Sequence, residues 1–172
     1  MISAEQFKKI RAVISDIDGV LTDGTVGYGL EDFVKFFNYR DGHWLKMAKR
    51  HGYIVGLISG RSSAANRKRA GELGLDFCKE DIHNKLTAFE EILAEYNLKP
   101  EECLYVGDDI IDAPVMSRVG IAIAVADAVP ALDEFADWRL QTPGGRGVFV
   151  EILDRLFRES GIMDEVLERY RK

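Results

Sequence analysis

Five short apolar runs, AVISDI, YIVGLIS, LDFC, CLYVG and GIAIAV, are rich in β-branched residues and alternate with stretches of helical periodicity. That alternation predicts an α/β fold, a doubly wound parallel sheet covered by helices on both faces. SSAANRKRAGELG reads as a helix ended by Gly74, and Leu86, Phe89, Ile92, Leu93 and Tyr96 form an apolar stripe that stops before Pro100. Val148, Phe149, Ile152, Leu153, Leu156 and Phe157 form another, and Ile162, Met163, Val166, Leu167 and Tyr170 a third amid charges. With 172 residues, no internal repeat and no low-complexity linker, one domain over 1–172 is expected.

One segment breaks the pattern. TVGYGLEDFVKFF reads as two short strands around the turn GLED, a hairpin inserted at about 25–37 just after the first strand and too short to be a cap domain. A two-stranded ribbon is marginal alone, so Val26, Tyr28, Phe33, Phe36 and Phe37 need a surface to bury against.

Composition narrows the function classes. A net charge of −6 argues against nucleic acid, and any anionic ligand must be held by local cations. No apolar run approaches the ~18 residues of a membrane span, and the first residues lack a signal-peptide core, so no membrane partner and a cytoplasmic location are expected. Cys78 and Cys103 sit in apolar settings and read as reduced, buried thiols.

Ligands of a doubly wound sheet bind outside the carboxyl ends of its strands, and four such loops carry chemistry. After the first run come Asp16, Asp18 and Thr22; after the second, Ser59, Gly60 and Arg61; before a helix, Lys85; after CLYVG, Asp108, Asp109 and Asp112. Singly these read as caps, turns and solvated charges. Together they suit phosphoryl transfer to a carboxylate, with Asp16 as nucleophile forming an aspartyl-phosphate. A carboxylate about 3.5 Å from a phosphate dianion costs roughly 9 kcal/mol at an effective dielectric of ~20, so a divalent cation must lie between them. Asp16, the backbone carbonyl of Asp18 and Asp108 can hold Mg²⁺, with Asp109 and Asp112 orienting that shell. Asp18 then serves as general acid and base, while Ser59, neighbouring N–H groups and Lys85 hold the phosphate oxygens.

DIDGVLT, SGR, Lys85 and GDDIID occur in the order used by the haloacid dehalogenase-like phosphatases, which this chain resembles. The resemblance implies Mg²⁺-dependent hydrolysis of a phosphate monoester. DGVLTDG, the hairpin, FNYRDG, GDDIIDAPVM, AVADA and GGRG look closer still to its small capless branch acting on keto-acid sugar phosphates. That likeness implies a homotetramer with the hairpins at its centre and each site completed by a neighbouring subunit. Arg69 looks like a position that is Arg in the enzymes for the eight-carbon octulosonate 8-phosphate, which points to that sugar acid rather than to a nine-carbon 9-phosphate. Arg69 and Arg146 are substrate-binding candidates; a solvated helix face and a helix-entry turn are the plain alternatives.

His43 and His83 lack a second ligand at metal-binding spacing. A phospho-receiver signalling module also uses an acidic pair, a phosphorylated Asp, a hydroxyl and a Lys, but in that module the phosphorylated Asp follows the acidic pair, whereas here the nucleophile comes first. A dehalogenase would not need the acidic GDDIID loop, and a mutase would need a larger cap to exclude water.

Overall fold

The computed structural model describes residues 2–29 and 33–171, so most of the GLED turn lies outside the described residues. Six strands form one parallel sheet: β1 (Ala12–Ser15), β4 (Ile54–Ile58), β5 (Phe77–Lys79), β6 (Cys103–Gly107), β7 (Ile121–Ala124) and β8 (Trp138–Arg139), in the order β5-β4-β1-β6-β7-β8. β1 lies between β4 and β6, with Ile14 opposite both Gly56 and Tyr105. All four residues of β1 and of β7, and all five of β6, are buried, as in strands covered on both faces. β8 is absent from the five runs read in the sequence. Two residues show no periodicity, and this edge strand is held instead by Arg139, whose guanidinium donates to the carbonyls of Val125 (3.0 Å), Ala126 (3.3 Å) and Ala128 (3.1 Å).

The chain leaves β1 toward β4 and β5, then crosses back to β6, β7 and β8, so right-handed crossovers place helices on opposite faces. Packing agrees: α2 (Tyr39–Arg50) lies against α6 (Val148–Glu159) and α3 (Ala64–Leu73), while α4 (Lys85–Glu95) lies against α5 (Ala113–Met116). α1 (Ala4–Lys9) and α7 (Met163–Glu168) also pack on α6. The six apolar residues of the α6 stripe are fully buried, each worth roughly 1.5–3 kcal/mol relative to exposure. α3 starts on Ser63, whose side chain accepts from the Asn66 N–H, and stops at Gly74, where φ is +64°.

β2 (Gly27–Tyr28) and β3 (Phe33–Val34) pair antiparallel as the inserted hairpin, with the Tyr28 and Phe33 rings 5.8 Å apart. Phe33 and Phe37 are half-buried within the chain, whereas Tyr28 is 85 % exposed and Phe36 81 %.

Candidate active site

The loops after β1, β4 and β6 and the start of α4 meet at one end of the sheet. The Asp16 N–H still pairs with the Val106 carbonyl (3.0 Å), which carries Asp16 just past the strand end. The chain then folds into a tight turn, with the Leu21 and Thr22 N–H groups donating to the Ile17 carbonyl (2.9 and 3.1 Å). Gly19 has φ of +90°, and a β-carbon there would lie 2.0 Å from Asp108 Oδ2. Only glycine lets this turn pass so close to the acidic loop.

Asn84 caps α4 by accepting from the Leu86 and Thr87 N–H groups, which sets Lys85 as the first helical residue, aimed into the strand ends. Its Nζ lies 2.7 Å from Asp16 Oδ2 and 2.7 Å from Asp112 Oδ1, with all three side chains nearly inaccessible. Asp112 Oδ1 also accepts from the Tyr105 hydroxyl (2.7 Å), and Oδ2 from the Asp108 and Asp109 N–H groups (3.0 and 3.3 Å). Asp112 thus spends both oxygens on Lys85, Tyr105 and the loop. Asp16 Oδ1 accepts from the Ile17 N–H at 2.6 Å.

Asp108 differs: its Oδ1 is buried and has no hydrogen-bond partner among the described residues. Oxygens of Asp16, Asp108 and Asp112 lie within 4.8 Å of one another, facing the single ammonium of Lys85. With all three ionised, two negative charges would be in excess. Burial first, then repulsion from Asp112, pushes the Asp16 carboxyl up to about 6 despite Lys85. Burial and the charges of Asp16 and Asp112 push Asp108 up to about 8. Burial works against the Lys85 ammonium, but Asp16 and Asp112 outweigh it and hold its pKa above the ordinary value. An unpartnered buried oxygen, an all-oxygen donor set and an excess of two negative charges fit a divalent cation. The carboxylates of Asp16, Asp108 and Asp112 are the groups close enough together to hold one.

The cluster opens on a cavity of about 370 Å³ whose lining includes Asp18, Ser59, Gly60, Arg61, Asp109 and Ile111. Ser59 follows β4, its N–H donating to the Lys79 carbonyl (2.8 Å) and its Oγ accepting from the Arg61 N–H (3.2 Å). Asp109 caps the short turn after β6, its Oδ1 accepting from the Ile110 N–H (2.6 Å). Asp18 stands apart from the acidic trio and is paired with Lys35, whose Nζ is 2.7 Å from Oδ1.

Of the residues singled out in the sequence, Asp16, Asp18, Ser59, Gly60, Arg61, Lys85, Asp108, Asp109 and Asp112 come together here. Arg69 and Arg146 do not reach this cavity within the chain. The Arg69 guanidinium lies 5.6 Å above the Phe37 ring and donates to the Asn38 carbonyl (3.1 Å), and Arg146 lies 3.7 Å from Asp23. His43 accepts or donates a hydrogen bond with the Tyr170 hydroxyl (3.1 Å). Lys35 and Tyr105 are additions from the structure. A lysine amid the aromatics of FVKFF was the available signal for the first; a phenol inside an apolar strand was the signal for the second.

A doubly wound sheet that brings a carboxylate, an ammonium and a cation-seeking acidic loop to its carboxyl end defines a hydrolase of the phosphoryl-transfer class. The sequence profile of haloacid dehalogenase-like hydrolases matches residues 75–152. The 3-deoxy-D-manno-octulosonate 8-phosphate phosphatase of Escherichia coli (strain K12) is 40% identical over 168 residues, covering 95% of this chain and 89% of that protein. The crystal structure of the phosphatase of the same name from Yersinia pestis superposes with a TM-score of 0.90 at 35% identity, over 94% of this chain and 88% of that one. The Moraxella catarrhalis phosphatase, crystallised with a magnesium ion, a phosphate ion and a KDO molecule, superposes with a TM-score of 0.93 at 28% identity, over 97% of each chain. The chain belongs to the haloacid dehalogenase-like hydrolases and, within them, to the family of the 3-deoxy-D-manno-octulosonate 8-phosphate phosphatases.

Proposed function

We propose that this protein hydrolyses 3-deoxy-D-manno-octulosonate 8-phosphate to the free sugar acid and phosphate, through an aspartyl-phosphate on Asp16. The observation that carries the reading is Asp16 pinned by Lys85 beside the unpartnered oxygen of Asp108, at the mouth of a cavity that also receives Asp18 and Ser59. The Ile17 N–H and Lys85 hold one oxygen of Asp16 each, which fixes the carboxylate for in-line attack on phosphorus. The bond from phosphorus to the sugar oxygen breaks as the Asp16–phosphorus bond forms, and Asp18 gives its proton to the departing alkoxide. Asp18 then takes a proton from water as that water attacks phosphorus, releasing phosphate and regenerating Asp16. The Ser59 hydroxyl, the N–H groups of the following turn and Lys85 donate to the non-bridging oxygens, where charge must be stabilised in the transition state. When bound by Asp16, Asp108 and the Asp18 carbonyl, Mg²⁺ supplies the positive charge that lets two anions approach.

The cavity is open, and the exposed aromatics of the hairpin call for a partner; both support a homotetramer in which a neighbouring subunit closes each site. Arg69 and Arg146 are the guanidinium groups offered to the substrate's carboxylate in such an assembly. Cys78 and Cys103 are free thiols, burial pushing them up to about 11 and about 12, and a reducing cytoplasmic setting is the one that would keep them free.

The test is phosphate release from the eight-carbon 8-phosphate and from a nine-carbon keto-acid 9-phosphate, with Mg²⁺ and with excess chelator. Turnover of the eight-carbon ester that chelation abolishes and Mg²⁺ restores is expected, together with a loss of at least ~10² to 10⁴-fold in Asp16→Asn. Preference for the nine-carbon ester overturns the substrate, and near-normal activity of Asp16→Asn overturns the covalent route.

A further inference from the structure

Lys35 has no part in the chemistry described so far. It directly follows β3 and lies between the exposed residues Val34 and Phe36, yet its own side chain is only 6 % exposed. Burying an ammonium on a short ribbon is unfavourable unless a counter-charge meets it. Asp18 does: Nζ stands 2.7 Å from Oδ1 and 2.9 Å from Oδ2, so the ammonium straddles the carboxylate. Asp18 is only two residues from Asp16, in a tight turn, but its carboxyl is not among the three that crowd within 4.8 Å.

We infer that Lys35 is a positioning residue: when Asp18 carries the proton it is to give, the Lys35 ammonium donates to the carbonyl oxygen of that carboxyl, which turns its O–H toward the leaving oxygen and keeps it from swinging onto the Asp16–Asp108 corner. The ammonium is anchored in the hairpin and the carboxyl in the turn after β1, so the hairpin sets the aim of a group it does not itself contain. The inference rests on the acid–base role proposed for Asp18.

Leaving-group dependence separates aim from mere structure. The test compares kcat/KM on 4-nitrophenyl phosphate, whose leaving oxygen departs without a proton, with that on an unactivated alkyl phosphate, whose alkoxide needs one. Lys35→Met is expected to lose about 10²-fold on the alkyl ester and no more than about 3-fold on the aryl ester, with Lys35→Arg within about 10-fold of wild type on both. Asp18→Asn is the benchmark and should show the same selectivity. If Asp18→Asn is selective while Lys35→Met falls equally on both esters, or on neither, the assignment of Lys35 is overturned and the role of Asp18 stands. If Asp18→Asn itself lacks selectivity, the acid–base reading fails and takes Lys35 with it. Circular dichroism checks each variant, and Lys35→Gln takes the place of Lys35→Met if the latter does not fold.

Discussion

At Asp41, in the first turn of α2, a fully buried carboxylate caps a different helix: Oδ1 accepts from the Phe149 N–H of α6 at 2.7 Å, while Oδ2 has no hydrogen-bond partner among the described residues. Burial pushes its pKa up to about 6 against the pull of the Phe149, Gly147 and Val148 N–H groups and of Arg69. Because the folded value lies above the unfolded one, the protonated form favours the fold. That contribution is fully present below the unfolded pKa and is lost as pH rises through about 6. Relative to Asp41→Asn, the wild type is expected to lose about 2 kcal/mol of unfolding free energy between pH 4.5 and 7.5. Urea titrations of both proteins at the two pH values measure this, and a difference that does not change with pH contradicts it. Nothing in FNYRDG announces such a cap, since Phe149 is more than a hundred residues away and any Asp at a helix start reads as a local one. Asp16, Asp18 and Asp108 were legible because a residue just past a parallel strand must emerge at the same end of the sheet as its counterparts. The partner of Asp18 was not, because it depends on how the hairpin folds back.

Among the elements, the loop from Pro143 to Gly147 and the turn after β1 depend on one another. The Gly145 N–H donates to the Val20 carbonyl at 2.8 Å, and a β-carbon on Gly144 would lie 1.9 Å from the Gly19 carbonyl oxygen. Two backbones touch here without side chains between them, and Gly19 in turn touches Asp108. Gly144→Ala is therefore expected to displace the turn, lowering stability by about 1–3 kcal/mol and kcat/KM by at least about 10-fold, although residue 144 does not line the cavity. Gly71→Ala is the control: it lies on α3 with open space around it, so stability should rise by roughly 0.5–1 kcal/mol with activity unchanged. Thermal unfolding and steady-state kinetics on both variants decide, and an active, stable Gly144→Ala shows that the loops are not coupled. The glycines of GGRG were visible in the sequence as a helix-entry turn. The close approach was not, because a missing side chain does not say which backbone it makes room for.

For the whole molecule, the hairpin presents Tyr28, Phe36 and the nearby Tyr39 at 85 %, 81 % and 82 % exposure, with Val26 and Val34 beside them. In the proposed tetramer these residues supply the contact. Tyr28→Ser combined with Phe36→Ser leaves Lys35 in place and is expected to reduce the mass in solution from four chains toward one, as read by light scattering. Unchanged mass puts the assembly surface elsewhere.

The strand order has a consequence for synthesis. β1 leaves the ribosome before the other strands of the sheet, and one of its two sheet neighbours, β6, and the residue that shares Lys85 with Asp16 come roughly a hundred residues later. At about 5–20 residues per second, Asp16, the proposed nucleophile, waits on the order of 5–20 s for the rest of its site. The cost of crowding acidic groups is met only when the second half of the chain arrives with the strands that bury them, so a nascent fragment ending before β6 carries the proposed attacking group without the power to use it.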